Sequence, residues 1–209
     1  MPALPPETLH DGYKRFKGGR FRVEQQHYAD LAEGQTPHTL VIACSDSRVD
    51  PAAIFDAAPG ELFVVRNVAN LVPPKDQGGG LHGVSAALEF AVKVLQVKGV
   101  LVLGHGDCGG VKACATGLAG VPSDYLGPWL KTMDPAREEA EAEGGTSQTE
   151  TLAPHLELVS IKHSLERLKQ FGFVRAAIEE RGLELHGARF SIHDGVLEWL
   201  GSDGKFVAV

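Results

Sequence analysis

Two short segments of the sequence carry residues that are typical ligands of zinc. Cys44 begins Cys-Ser-Asp-Ser-Arg, directly after an apolar run over 40–43. His105 and Cys108 lie in His-Gly-Asp-Cys, directly after a second apolar run over 100–103. Tetrahedral zinc takes four ligands, and three protein ligands with one open position are typical of a catalytic rather than a structural site. The spacing therefore predicts one catalytic Zn²⁺ per chain.

The alternative interpretation is that these cysteines are small buried hydrophobic residues, as free cysteines often are. A single His-x-x-Cys is a weak signal for a metal. Two such segments that each follow a predicted strand are a stronger signal for a metal site. In α/β proteins, bound molecules and ions lie beyond the carboxyl ends of the strands. The third cysteine, Cys114, falls in the next predicted helix and is expected to be a core residue.

Asp46 and Arg48 follow Cys44 closely enough to lie beside the predicted metal. Arg48 can hold the Asp46 carboxylate by a bidentate contact and keep it ionised. Asp46 could then accept a proton from a water on the metal, whereas without Arg48 it could swing onto the metal and close the open position. The alternative is a turn-capping aspartate and a surface arginine. The pattern favours a catalytic pair.

A competing motif overlaps the second segment. Gly104-x-Gly106-x-x-Gly109 follows a predicted strand and has the spacing of a dinucleotide-binding loop. It belongs to the third strand–helix unit rather than the first, and its variable positions hold His and Cys. The region about 20 residues further on, 121–128, has two prolines and no acidic residue that ends a strand. Nucleotide binding is therefore disfavoured.

Composition limits the class of protein. The chain has 209 residues, 43% hydrophobic and 22% charged, which predicts a single domain over 1–209. A net charge of −7 without a basic stripe predicts no nucleic-acid partner. Membrane association is not expected, because no apolar run approaches the roughly 20 residues of a membrane span and the first residues do not resemble a signal peptide. Three cysteines disfavour a disulfide framework and predict a cytoplasmic protein.

The elements that must position these residues alternate between strands and helices. Strands are predicted at 39–43, 62–65, 100–103 and 183–192, followed by a hairpin over 196–209. Helices are predicted within 7–33, at 84–97, after Cys108, at 155–170 and at 173–181. A glycine-rich loop covers 78–80, and 131–149 is predicted as an exposed helix or a mobile loop. This alternation predicts an α/β fold with a mainly parallel sheet.

The combination Cys-x-Asp-x-Arg and His-x-x-Cys resembles the β-class carbonic anhydrases, and the resemblance extends over nearly the whole chain. The segments 66–70 and 104–110 resemble the surrounding sequence of that family. The resemblance implies Zn²⁺ on the three ligands, a catalytic Asp46–Arg48 pair, and a homodimer or a dimer of dimers. It also implies a four-stranded parallel central sheet with an antiparallel edge strand, flanking helices, and an N-terminal helical arm over about 1–36 that embraces a partner subunit.

The sequence is most similar to the plant-type branch. The substrate-binding residues that this likeness implies are Gln35, Phe63, Val68, Phe90 and Gly109. The amide of Gln35 and the backbone N–H of Gly109 would contact the oxygens of bicarbonate, and the other three would form an apolar wall for CO₂. Phe90 replaces a family Tyr and lacks its hydroxyl. Gln35 and Phe63 match positions that reach the zinc of the neighbouring subunit.

Another branch of the family has a regulatory bicarbonate pocket made of Trp, Arg and Tyr. The matching residues here are Val41, Arg66 and Phe190. Only the arginine is retained, which predicts that this regulation is absent.

The implied reaction is the reversible hydration of CO₂ to bicarbonate and a proton. Zinc lowers the pKa of its bound water and supplies hydroxide near neutral pH, although two thiolates should make that water less acidic than three histidines would. His82 is a candidate proton shuttle or a solvated loop histidine. Two alternatives stay open: a related zinc hydrolase that acts on COS or CS₂, and a zinc-binding module without turnover.

Overall fold

A six-stranded sheet forms the framework of the protein. The strands are β1 (Thr39–Cys44), β2 (Leu62–Asn67), β3 (Gly99–His105), β4 (Glu184–Phe190), β5 (Leu197–Leu200) and β6 (Phe206–Ala208). The computed structural model describes residues 6–75, 82–122, 124–144 and 148–209. The strand order is β2-β1-β3-β4-β5-β6. The first four strands in that order are parallel, and β5 and β6 are antiparallel.

The central strands are buried on both faces, which explains why they are continuously apolar in sequence. Leu40 and Val100 are fully buried among helices on one face of the sheet. Val41 and Leu101 are buried in a smaller cluster on the other face. Because β1 and β3 pair in register from Thr39↔Gly99 to Ala43↔Leu103, both strands end at the same edge of the sheet.

Ten α-helices are described. They are α1 (Glu7–Gly18), α2 (Arg20–Val23), α3 (Gln25–Glu33), α4 (Pro51–Ile54), α5 (Gly83–Glu89), α6 (Gly109–Ala115), α7 (Leu126–Lys131), α8 (Asp134–Gly144), α9 (Thr149–Leu168) and α10 (Gly172–Arg181). Apolar residues of α5, α9 and α10 cover one face of the sheet. A second cluster, built from α6, α7, α8 and the first half of α9, surrounds the ends of β1 and β3.

The predicted fold class is confirmed, with differences in detail. The antiparallel edge has two strands, since β6 pairs with β5 within the segment 196–209 that was predicted as a hairpin. Of the segment predicted as an exposed helix or a mobile loop, Asp134–Gly144 is helical. The predicted helix over 84–97 continues from α5 into a π-helical turn at Phe90–Val94. The glycine-rich loop at 78–80 lies outside the described residues.

The chain divides into two units, residues 1–36 and 37–209. In the first unit, α1, α2 and α3 contribute an aromatic cluster in which Phe21 lies 5.9 Å from Phe16 and 5.0 Å from Tyr28, measured between ring centroids. The second unit contains the whole sheet and its helices. That the two units act as one functional domain stays a prediction. None of the helices in the described ranges is long and apolar enough to span a membrane.

Candidate metal centre

The ends of β1 and β3 bring the three predicted zinc ligands together. Cys44 is the last residue of β1, His105 is the last residue of β3, and Cys108 directly precedes α6. Their ligand atoms all lie within 4.8 Å of one another, and the two Sγ atoms are 3.9 Å apart. Two thiolates at the Zn–S distance of about 2.3 Å in a tetrahedral site lie about 3.8 Å apart. The cluster therefore has the spacing that zinc requires.

The histidine supplies an independent test of that fit. His105 is 1% exposed, and its Nε2 is buried without a hydrogen-bond partner in the described part of the chain. Its Nδ1 lies 2.8 Å from the carbonyl oxygen of Gly106 and must donate to it, which leaves the lone pair on Nε2. A buried imidazole fixed in this way by its other nitrogen is typical of a metal ligand. The residues present fit Zn²⁺.

The thiols are arranged to give up protons to a metal. The two thiols lie within hydrogen-bonding distance of each other. This contact, the nearby His105 and the backbone N–H groups of Asp46 and Ala69 together lower the pKa of Cys44. The same contact and burial raise the pKa of Cys108, because a second thiolate would face the first. Without a cation the pair therefore retains one proton. A bound metal would displace it, since thiolate is the ligating form.

Burial lowers the pKa of His105, but the nearby Cys44 sulfur, the Gly106 carbonyl and the charge of Asp46 together act more strongly and raise it. The site thus attracts positive charge. A divalent cation would meet the same anionic surroundings that favour the imidazolium ion.

Asp46 and Arg48 form the predicted contact. Nε of Arg48 donates to Oδ1 of Asp46 at 2.9 Å, and Nη2 donates to Oδ2 at 2.7 Å. The backbone N–H of Arg48 also donates to Oδ1, at 3.0 Å. These bonds hold the pKa of Asp46 well below its usual range. Nη2 of Arg48 further donates to the carbonyl of Asp107, which ties the pair to the segment between the other two ligands.

Arg66 has a structural role that the sequence did not indicate. Its guanidinium donates to the carbonyl oxygens of Cys44 at 2.8 Å, Asp46 at 2.6 Å and Val49 at 3.3 Å, and to Oδ2 of Asp50 at 3.2 Å. One side chain thus holds the turn that presents a ligand and the catalytic pair. The sequence had singled out Arg66 only through the resemblance to the family. Its contacts with the turn depend on the pairing of β2 with β1, in which Arg66 lies opposite Ala43.

The structure brings two of the five predicted substrate-binding residues to the cluster. Val68 follows β2, and the residue after it, Ala69, donates its N–H to Cys44. Val68 also packs against α6, since a Cβ on Gly110 would lie 2.9 Å from Cγ1 of Val68. Gly109 is the first residue of α6 and is exposed.

Phe63 lies away from the cluster of its own chain. It pairs in register with Leu40, four residues before Cys44, which corresponds to about 13 Å along the strand. Phe90 stacks on Phe63 with 5.8 Å between ring centroids. Gln35 belongs to the N-terminal unit. The parts predicted for these three residues in substrate binding stay predictions.

Comparisons with known proteins agree with this site. A family model described as carbonic anhydrase matches residues 39–197, a range that contains all three ligands. The chain is 38% identical over 193 residues to beta carbonic anhydrase 5, chloroplastic, of Arabidopsis thaliana. The aligned region covers 92% of this chain and 64% of that relative's length.

Two solved structures share the fold over almost their full length. The β-carbonic anhydrase CcaA has a TM-score of 0.88 at 30% identity and covers 97% of this chain and 98% of its own. A structure from a study of two tetrameric β-carbonic anhydrases of Sordaria macrospora has a TM-score of 0.80 at 31% identity and covers 94% and 98%.

Proposed function

The chain belongs to the β-class carbonic anhydrases, and we propose that it is a zinc-dependent lyase that reversibly hydrates CO₂ to bicarbonate and a proton. The observation that carries the proposal is the buried Cys44–His105–Cys108 cluster with the orphaned Nε2 of His105, directly beside the bidentate Asp46–Arg48 pair. The three ligands would hold one Zn²⁺. When bound, zinc acts as a Lewis acid that makes a water molecule acidic near neutral pH.

Asp46 is the group of this chain that is placed to handle the proton. Its Oδ1 accepts two hydrogen bonds from Arg48, whereas Oδ2 accepts one. Because an ionised carboxylate oxygen can accept two bonds, Oδ2 keeps one acceptor position free of Arg48. We assign to Oδ2 the acceptance of the hydrogen bond from the attacking O–H group, which orients it toward CO₂. Arg48 keeps the carboxylate ionised and prevents it from turning toward the cluster.

Val68 and Gly109 would receive the carbon and oxygens of the substrate. Val68 is 37% exposed and presents an apolar surface on which CO₂ can lie without displacing hydrogen-bonded water. Gly109 begins α6, where backbone N–H groups have no partner within the helix. Its N–H is therefore available to an oxygen of bicarbonate. The glycine leaves this approach open, since a Cβ there would meet no atom within 4 Å.

We also propose a homodimer, or a dimer of dimers, in which Gln35 and Phe63 complete the site of the neighbouring subunit. Support comes from the position of Phe63, about 13 Å along β2 from the level of Cys44 in its own chain. The similar proteins of Sordaria macrospora are described as tetrameric. For location we propose the cytoplasm, because the three cysteines are free thiols and two of them must stay reduced to bind metal.

Stopped-flow measurement of CO₂ hydration with a pH indicator tests the function. The zinc-loaded protein should hydrate CO₂, and removal of the metal with a chelator should abolish turnover until Zn²⁺ is restored. COS and CS₂ should be assayed in parallel. Turnover of either gas without CO₂ hydration would establish the hydrolase instead, and stoichiometric zinc without any turnover would indicate a binding module.

A further inference from the structure

A buried carboxylate lies behind the segment 105–108, which carries two of the three ligands and is called the ligand loop below. Glu157, on α9, is 3% exposed. Its Oε1 accepts the backbone N–H of Cys108 at 3.4 Å. Its Oε2 accepts a hydrogen bond from Nε of Arg189 at 2.8 Å. Nη2 of Arg189 lies 2.8 Å from the same oxygen. The carboxylate therefore connects the ligand loop to the sheet.

Arg189 is the centre of this connection. It lies on β4, in register with Gly104 of β3. Its Nη1 donates to Oε2 of Glu198 on the adjacent strand β5, at 2.8 Å. A Cβ at Gly106 would lie 3.0 Å from Nη2 of Arg189, so the guanidinium fills the space directly behind the ligand loop. The N–H of Gly106 donates in turn to the carbonyl of Phe190, the neighbour of Arg189, at 2.9 Å.

Stability alone does not explain a charged pair in this place. Burial raises the pKa of Glu157 even though the guanidinium of Arg189 acts in the opposite direction. A buried ion pair generally adds little stability over apolar side chains of similar volume. What an apolar pair cannot do is accept the N–H of Cys108 in a defined direction. The pair thus has a geometric function at the ligand loop.

We propose that Glu157 and Arg189 are positioning residues that set the metal affinity of this site. Arg189 holds the carboxylate of Glu157 against the N–H of Cys108, so that Sγ of Cys108 and Nε2 of His105 face Sγ of Cys44 before any metal arrives. The inference rests on the metal site of the proposed function but not on its reaction. Groups that orient metal ligands typically contribute about 10–100-fold to metal affinity.

The test measures metal binding directly in the full-length protein. Zinc affinity is obtained by competition with a chromogenic chelator, and the geometry of the site by the absorption spectrum of the Co²⁺-substituted protein. We expect Arg189→Met to lower zinc affinity about 10–100-fold and to change the thiolate-to-Co²⁺ bands. Arg189→Lys keeps the charge but loses the two-pronged contact, and it should weaken zinc binding by a smaller factor.

Arg167→Met is the matched control. Arg167 is also a partly buried arginine, and it donates to backbone carbonyls of Val72 and Thr132, which lie outside the ligand loop. This variant should lower thermal stability and leave zinc affinity and the Co²⁺ spectrum as in the wild type. An equal loss of zinc affinity in Arg167→Met and Arg189→Met would overturn the proposal, because the effect would then reflect general destabilisation.

Two further variants keep the test decisive if Arg189→Met does not fold. Arg189→Lys preserves the positive charge, and Glu157→Gln preserves the size and shape of the side chain. In Glu157→Gln the side-chain amide still offers an oxygen to the N–H of Cys108, but the ionic contact with Arg189 is lost. Unchanged affinity and spectrum in both variants would refute the positioning role.

Failure of the proposed function is recognised separately. Wild-type protein that binds zinc tightly without hydrating CO₂ contradicts the reaction but still permits this comparison of zinc affinities. Wild-type protein that binds no zinc contradicts both the proposed function and the positioning role.

Discussion

At the scale of single residues, the thiols and the imidazole form a set that a cation completes. Cys44 and Cys108 share a proton across 3.9 Å, and the Nε2 of His105 has no partner in the described part of the chain. The unpartnered Nε2 is unfavourable in a core without a metal, because buried polar atoms without partners cost free energy. The cysteine outside the cluster, Cys114, has a pKa raised to about 11, mainly by its own burial.

Because Cys108 belongs to the metal cluster and Cys114 does not, replacing each of them should have a different effect. Cys108→Ser should lose most of its bound zinc, because a serine hydroxyl is a far weaker ligand than a thiolate. Cys114→Ser, at a cysteine equally buried in α6, should retain one zinc per chain and lose only stability. Metal analysis of both purified variants gives the number of zinc ions bound per chain. Stoichiometric zinc and full activity in Cys108→Ser would show that the ligand assignment is wrong.

Asp46 and Arg48 should behave as one unit. Asp46→Asn and Arg48→Met should each reduce kcat for CO₂ hydration strongly while zinc stays bound. The double variant should lose little more than either single variant, because residues that act as a unit are not additive. A double-mutant cycle on kcat/KM measures this coupling. Small and additive losses would contradict the catalytic pair.

The pH dependence gives a second test of the same contact. Arg48 lowers the pKa of Asp46 in the folded protein, so the carboxylate stays ionised well below its usual pH range. In Arg48→Met the pKa of Asp46 should rise toward its ordinary value of about 3.9. The loss of activity on acidification should therefore begin at a higher pH than in the wild type. An acid limb at the same pH in both proteins would argue against control of Asp46 by Arg48.

At the scale of elements, the site depends on close packing between α6 and the segment after β2. A Cβ at Gly110 would lie 2.9 Å from Cγ1 of Val68 and 3.1 Å from Cβ of Ala69. Both neighbours are stiff, since Val68 is β-branched and the Cβ of Ala69 moves only with the backbone. The absence of a side chain at Gly110 thus allows α6 to approach the wall that Val68 forms.

Gly110→Ala should therefore lower the free energy of unfolding by about 1–3 kcal/mol, the usual cost of overpacking. Gly172→Ala is the control, because Gly172 begins α10 and a Cβ there would meet no atom within 4 Å. That variant should be neutral or slightly stabilising. Denaturant unfolding of the wild type and the two variants measures the free energy of unfolding of each. Equal values for Gly110→Ala and the wild type would show that α6 can shift without loss of stability.

Arg66 decides the expected response to bicarbonate. Three of its guanidinium nitrogens already contact the turn over 44–50, and Val41 is fully buried. We expect bicarbonate to inhibit without cooperativity. Arg66→Ala should lower activity by loosening that turn and should leave the shape of the inhibition curve unchanged. A steep bicarbonate response in the wild type that Arg66→Ala abolishes would contradict the predicted absence of the regulatory pocket.

At the scale of the whole molecule, the proposed sharing of each site between two chains can be tested with mixed dimers. We expect a Gln35→Ala chain paired with a Cys44→Ser chain to recover about half the wild-type activity per dimer. In a shared arrangement both defects fall in one site and the other is intact, whereas sites built within single chains would both be defective. Differentially tagged chains allow purification of the heterodimer. Heterodimers with no recovered activity would refute the sharing of Gln35.

Much of the fold and the metal cluster followed from sequence. The apolar runs before Cys44 and His105 predict buried parallel strands, and such strands end at one edge of a sheet. Thiol and imidazole chemistry belongs to the residue itself, so the ligand types were visible without coordinates. The Asp46–Arg48 contact spans only two positions and could be inferred from local spacing.

Contacts between distant segments could be assigned only from the tertiary structure. Arg66 bonds to the carbonyl of a residue 20 positions away, and Arg189 bonds to Glu157 across 32 positions. The register of the strands and the packing of α9 determine which side chains meet. Neither the register nor this packing can be inferred from a local sequence pattern. The distance of Phe63 from the metal cluster likewise follows from its pairing with Leu40. Residue chemistry and apolar periodicity are local properties of the chain, whereas the partner of a side chain depends on which distant segments the folded core brings beside it.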